Sequence, residues 1–294
     1  AAGQPVARVD DASLTIARVA ADVLGESTVG VIATQGDPRS NDASSLAGID
    51  FQYLNTRLPG GRTLEAGAWF QKTDSLGDLG ADNTAYGLGF VIPNAAGFRG
   101  GFALKELGAH YDPAIGFVSR TGVRDYTAQV GFKHFFPTGY WQSWFTGLDA
   151  QRVNFVGGGL ETQVLFARLL ELETRQADIF RVIFKASEEF VTRDFTIYSD
   201  RSRAVTVAAR RYEFDEVGFD IQSAQQRSLA ASLNYRQGDF YDGERTSAGG
   251  EIQWKPSKRF NMRYRYEWND IELPDGDFTA RLFQVVTEVA LSLN

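Results

Sequence analysis

Apolar and polar residues alternate in steps of two along most of this chain. Met262, Tyr264, Tyr266 and Trp268 fall on one side, and Arg263, Arg265, Glu267 and Asn269 on the other. Successive side chains of a strand point to opposite faces, so this segment predicts a strand with one apolar and one charged face. Helical spacing would set Arg263 and Glu267 beside Tyr266 and leave no clean apolar stripe. The same split recurs at Ile49, Phe51 and Tyr53, at Tyr126, Ala128, Val130 and Phe132, and at Val217, Phe219 and Ile221. It returns at Leu229, Ala231, Leu233 and Tyr235, and at Ala248, Gly250, Ile252 and Trp254.

The pattern predicts about fifteen strands. Their expected spans are 13–23, 26–35, 45–56, 62–73, 83–93, 97–107, 124–136, 142–155, 159–174, 177–190, 211–223, 227–238, 243–255, 259–270 and 277–293. Many are twice as long as the roughly 5–6 residues usual in soluble proteins. A strand crossing a bilayer at a tilt needs about 9–11 residues. Short connections at Leu24–Gly25, 93–96, Gln176, 224–226 and 255–258 are separated mostly by long ones at 36–44, 74–82, 106–123, 191–210 and 271–276. Tight turns at one end and longer loops at the other are the habit of a meandering membrane barrel. The expected fold is therefore all-β, an antiparallel up-and-down transmembrane β-barrel occupying 13–294, with 1–12 as a loop or linker remnant. An odd strand count does not close without a parallel seam. It predicts that this chain is part of a barrel of about 16 strands or more.

Composition agrees with strands and turns: Gly 30 and aromatic 13% stand beside Pro 8. Cys 0 removes disulfides, thiolate metal sites and cysteine nucleophiles. Only His110 and His134 are present, which argues against a multi-histidine metal centre. A net charge of −7 argues against a general nucleic-acid binder. No cofactor, no metal and no enzyme activity are expected.

In a barrel of this size the apolar face meets lipid and the polar face lines a wet interior. Expected lumen-lining residues are Glu161, Glu171, Glu173, Arg181, Lys185, Glu251, Arg263, Arg265 and Glu267, with Lys255 beside them. Burying these groups in a dry core would cost several kcal/mol each unless paired. Expected interface aromatics are Phe135, Phe136, Trp141, Trp144, Tyr264, Tyr266 and Trp268, since amphipathic rings favour the headgroup level. The long connection 191–211 carries Arg193, Arg201, Arg203, Arg210 and Arg211 with Phe195 and Tyr198. Folded inward, these arginines form a candidate anion-attracting constriction; solvated arginines or a surface site for lipopolysaccharide phosphates are the other readings. Ala204–Ala209 reads as a further strand beyond the membrane.

Catalytic signals are weak. His110, Asp112 and Ser119 share one loop, but a Ser-His-Asp group is defined by geometry and not by adjacency. Gly157–Gly159 and 97–101 lack the strand-to-helix setting of a phosphate loop. Asp239, Asp242 and Glu244, like Asp275 and Asp277, read as solvated turns and do not match a calcium loop.

Four stretches carry a family resemblance: Arg18 to Asp37, Gly116 to Tyr126, Gly238 to Ser247 and Asn269 to Leu282. In order and spacing the chain resembles the barrel portion of the domain-of-unknown-function 5916 family. The chain departs from that pattern at Ala20, Ala21 and Glu26, where basic residues are usual, and at Ser119, where proline is usual. The resemblance implies a bacterial outer-membrane barrel, with a carbohydrate-binding module of family 9 type and the first strands upstream. It implies outer-membrane lipid and lipopolysaccharide as partners and a small solute or oligosaccharide as ligand. The expected function is a channel or the membrane anchor of a larger surface protein, with a soluble β-rich carbohydrate-binding protein and an outer-membrane barrel enzyme as the alternatives.

Overall fold

The computed structural model describes residues 13–39, 43–75 and 82–289. The expected linker 1–12 and the end of the last expected span, 290–293, lie outside them. Among the described residues there are strands, turns and no helices. No helix is thus long and apolar enough to cross a membrane, which says nothing of a barrel.

Among the described residues seventeen strands run in chain order: β1 Thr15–Val23, β2 Ser27–Gln35, β3 Ser44–Leu58, β4 Arg62–Ser75, β5 Thr84–Ile92, β6 Gly97–Leu107, β7 Val123–Phe135, β8 Trp141–Phe155, β9 Leu160–Thr174, β10 Ile179–Phe190, β11 Phe195–Ser199, β12 Ala204–Val207, β13 Arg211–Gln222, β14 Leu229–Phe240, β15 Gly243–Ser257, β16 Phe260–Glu272 and β17 Phe278–Val289. Fifteen of them form one sheet in which chain order is also spatial order, from β1 to β17. The hairpin β11–β12 forms a separate two-stranded sheet. The fifteen expected spans match the fifteen sheet strands in number and order. The alternating pattern fixes their registers because a one-residue slip would reverse every side chain.

By its contacts the chain divides into two compact units. Unit 1 holds β1 to β5, 100–128 and 152–160; unit 2 holds 95–99, 129–151 and 161–294.

In unit 1 the registers put Val31, Ile49, Phe70 and Leu88 on one face, and Gly30, Asp50, Trp69 and Gly87 on the other. The apolar face is the more exposed. Ile49 is 51% exposed, while the side chain of Asp50, its chain neighbour, is 17% exposed. The long connection 108–122 packs on the polar face. Tyr111 is buried against Leu46 and Ala85 and its hydroxyl bonds the Gln71 side chain.

Unit 2 repeats the inversion. Val217, Ile221, Leu233, Ile252 and Tyr264 share one exposed face. Ile221 is 45% exposed and the neighbouring Asp220 side chain 22%. Hairpin β11–β12 packs beside the polar face near the ends of β13 to β17. Val205 is fully buried with Ile271 and Leu273, flanked by Phe240 and Phe278, and Tyr198 stacks on Phe278 at 4.7 Å. Val207 is buried with Val191 and Tyr212. Tyr241 lies between these two clusters at φ 53 in the turn between β14 and β15. A left-handed backbone is costly for an aromatic residue, and the packing around its ring offsets it.

Candidate functional site

The polar faces carry the chemistry, and each unit builds its own from adjacent strands. In unit 2 the building block is the cross-strand ion pair. Arg181 on β10 donates to Glu171 on β9 at 2.6 Å and to Asp220 on β13 at 3.4 Å. Arg236 on β14 donates to the other Asp220 oxygen at 2.5 Å. One chain of alternating charge thus crosses four adjacent strands. Arg245 on β15 reaches Glu216 on β13 at 2.7 Å, across the position of Gly238 on β14. Lys133 and the Ser143 hydroxyl both donate to Glu173, at 3.2 and 3.0 Å. Arg168 pairs with Asp149 at 3.0 Å, and Arg263 faces Glu251 at 3.5 Å. Side chains at these sites are one-tenth to two-fifths exposed, so the pairing offsets a real desolvation cost. A polar cleft of about 430 Å³, lined by Gln222, Ser232, Asn234, Glu251, Arg265 and Glu267, lies on the same face.

Phe145 is the aromatic centre of this face. It is buried at 4% exposure, and its ring covers Gly131 and Gly147. A Cβ at either glycine would lie 2.6 Å from the ring, so only glycine fits beneath it. The Arg168 guanidinium sits 4.5 Å from the ring centroid and Arg99 5.9 Å. These are cation–π contacts that hold the ring to the sheet.

Unit 1 has fewer ion pairs and more open surface. Arg18 pairs with Asp50 at 2.9 Å and Lys105 with Asp125 at 3.1 Å. The Trp69 indole covers Gly87, its directly paired neighbour on β5. Below it lies a cleft of about 380 Å³ bounded by Asp50, Gln52, Gly67, Trp69, Gly89, Ala103, Lys105, Asp125 and Thr127.

Turn carboxylates are held by local donors. The Thr56 backbone N–H is the main cause that lowers the Glu26 carboxyl below its ordinary range, with the Thr56 hydroxyl adding to it. The Arg227 side chain lowers Asp178, helped by the Ala224 N–H. In the β11–β12 turn, the Ser202 hydroxyl and backbone N–H hold Asp200 down to about 2.

Of the expected polar-face residues, Glu171, Arg181, Lys185, Glu251, Arg263, Arg265 and Glu267 share one face by register, and Glu173 lies with Glu171. Glu161 does not. Leu169 bulges out of the β9–β10 pairing, since Val182 faces Leu170 and Ile183 faces Arg168. That extra residue reverses the phase and sets Glu161 with Leu165 and Ala167. Lys255 follows the β15 irregularity after Trp254 and donates to the Gln225 carbonyl.

The five loop arginines do not converge. Arg203 bonds the Asp277 carbonyl and lies over Tyr198, Arg210 pairs with Asp242, and Arg211 with Glu188 at 3.0 Å. Arg193 and Arg201 are exposed. Ala204–Val207 is a strand, but its partner is β11.

Of the expected interface aromatics, Trp144 joins a row with Phe98 and Phe132 at centroid distances of 4.9 and 5.6 Å, and His134 contacts Phe136. Tyr264, Tyr266 and Trp268 share the apolar face of β16, where Tyr264 meets Phe283 edge-on. Phe135 takes the Lys133 side, with that ammonium 5.1 Å from its ring, and Trp141 contacts Tyr140.

Asp112 is clamped by Arg39 at 2.8 and 3.0 Å. Gly158 and Gly159 form the turn after β8 at positive φ. Among the described residues no group of three potential ligands is placed to hold a metal.

Sequence reading missed Phe145 and the apolar residues that anchor the long connections, such as Leu46, Ala85, Ile271 and Phe278. Their signal was an apolar residue in the polar phase of a strand. For Phe145 the glycines at 131 and 147 added to it.

Searches with family models, against curated proteins and against solved structures returned no match to this chain.

Proposed function

We propose that this chain is the strand region of a bacterial outer-membrane β-barrel that conducts a small solute along its polar face. The observation that carries the reading is the inverted amphipathicity. Large apolar side chains on long strands are half exposed, while charged side chains on the opposite face are paired and less exposed. In water such a surface forfeits roughly 25 cal/mol for every Å² of apolar area left uncovered. Lipid removes that cost, and a wet interior suits paired charges. Strand lengths support it: β3, β8, β9 and β15 have 15 residues each. The row Phe98, Phe132 and Trp144 fits a headgroup-level girdle. The resemblance to an outer-membrane family points the same way.

A second reading, a membrane anchor with an occluded interior, draws on the long connections that pack against polar-face side chains. Heated and unheated electrophoresis of the protein from fractionated cells tests the shared premise. A heat-modifiable band in the outer-membrane fraction is expected. A detergent-independent soluble protein with no mobility shift overturns both readings. Planar-bilayer conductance then separates them: discrete ion steps support the channel, and a silent bilayer supports the anchor.

A further inference from the structure

The cleft of unit 1 differs from the polar cleft of unit 2 in its bare floor and its aromatic wall. Gly67 pairs with Gly89, and Gly89 with Ala103, so three adjacent strands carry almost no side chain at one level. One level away, Trp69, Gly87 and Lys105 face one another in register. The indole is fixed over Gly87, where a Cβ would lie 2.6 Å from its ring nitrogen. The floor is therefore bare by sequence, and one wall is a rigid aromatic plane.

The lining is largely apolar, and the charged groups at its rim are balanced. Asp50 is paired with Arg18 and Asp125 with Lys105. An entering ion would find its countercharges already engaged, and displacing them would cost a pair. A neutral molecule meets no such barrier. Carboxylates held by one cation still accept hydroxyl donors, and Gln52 and Thr127 offer both donors and acceptors. On the side of the long connection, Tyr111 with Leu46 and Ala85 packs against Trp69 and limits the cleft. Its volume, about 380 Å³, falls in the roughly 300–1,000 Å³ of small-molecule sites.

We propose that this cleft binds a neutral saccharide, with the C–H face of one sugar ring stacked on Trp69 and its hydroxyls bonded to Asp50, Gln52 and Thr127. A sugar ring joins an apolar C–H face to a rim of neutral hydroxyls, which matches an aromatic plane edged by polar groups. The proposal deepens the conducting reading, because it makes the cleft a stop on the path of the solute.

Saturation-transfer NMR on the whole chain in detergent micelles tests it, with maltose as probe and glucuronate as its anionic contrast. Maltose signals are expected from the unaltered protein and weaker or absent signals from glucuronate. Trp69→Ala should weaken maltose binding by about tenfold or more. Gly67→Leu is the second variant. A Cβ there meets only the Phe51 carbonyl, at an ordinary 3.4 Å, so the side chain fills the cleft without displacing the backbone. It should abolish the signal while the strand circular dichroism and heat-modifiable mobility stay unchanged. Equal maltose signals from the unaltered protein and Gly67→Leu, no maltose signal at all, or a preference for glucuronate would overturn the proposal. A mobility shift without saccharide binding refutes the cleft alone. Saccharide binding without a mobility shift refutes the barrel and leaves the cleft standing.

Discussion

The polar faces of the two units obey the same alternation and are built from different residues. In unit 1, the polar phase of β4 to β6 holds Gly67, Gly87, Gly89, Ala103 and one tryptophan. In unit 2, the polar phase of β9 to β16 holds arginines and carboxylates that pair from strand to strand. The period of two sets which side each residue takes. The choice between glycine and arginine in that phase decides whether the face is a cleft or a charge lattice. The comparison teaches that a glycine-floored cleft and a charge lattice can be written on different strands of one sheet without altering its topology.

The largest effect that would sharpen this contrast is expected at Phe145. Phe145→Ala removes a buried ring from above two glycines, which leave nothing to fill the gap. It should destabilise the protein by about 3 kcal/mol, near the lower end for buried aromatic truncation. Thermal unfolding in detergent measures it.

Arg181→Ala comes next. It removes the cation that Glu171 and Asp220 share across β10 and leaves Asp220 paired with Arg236 on β14. A loss of about 1–2 kcal/mol is expected, below that of a fully buried pair because the Arg181 side chain is 31% exposed. Asp50→Ala in unit 1 breaks a pair whose Arg18 partner is 48% exposed. It should cost less than about 1 kcal/mol. An Asp50 variant as damaging as Arg181→Ala would erase the distinction between the two faces.

The smallest effect concerns pH. Asp178 titrates below its ordinary value when folded, because Arg227 and the Ala224 N–H favour its anion. Its contribution is therefore full above the unfolded carboxylate value, about 3.9. It declines as pH falls through the lower folded value. Asp178→Asn should flatten the acid limb of unit 2 stability there. Hydrogen exchange at the 223–228 turn reports it, and an unchanged acid limb would contradict the assignment.

The strands and their order were largely legible in the sequence, and the site only in part. In β16 four apolar and four polar residues alternate without interruption, and the structure pairs them in that phase. Glu161 shows where the pattern misleads. Odd positions along β9 appear equivalent in the sequence, but one bulged leucine reverses the phase between 161 and 171. Bulges depend on pairing with a neighbour, which no single strand displays. Of the hairpin β11–β12 the sequence showed one strand, at Ala204–Ala209, and hid its partner for another reason. Both strands are short, and the residues that hold the hairpin, Phe240, Ile271 and Phe278, lie far away in the chain. The cleft depends on three glycine or alanine positions becoming level, which follows only from register.

The central claim is that the apolar face meets lipid and the polar face water. The chain has no cysteine, so single spin labels can be placed at Ile252→Cys and at its neighbour Glu251→Cys without a background. Paramagnetic accessibility in reconstituted vesicles then compares them. Dissolved oxygen should relax the label at position 252 more strongly, and a water-soluble nickel chelate the label at 251. Equal access of the nickel chelate to both positions, in protein that remains with the vesicles, would contradict the account.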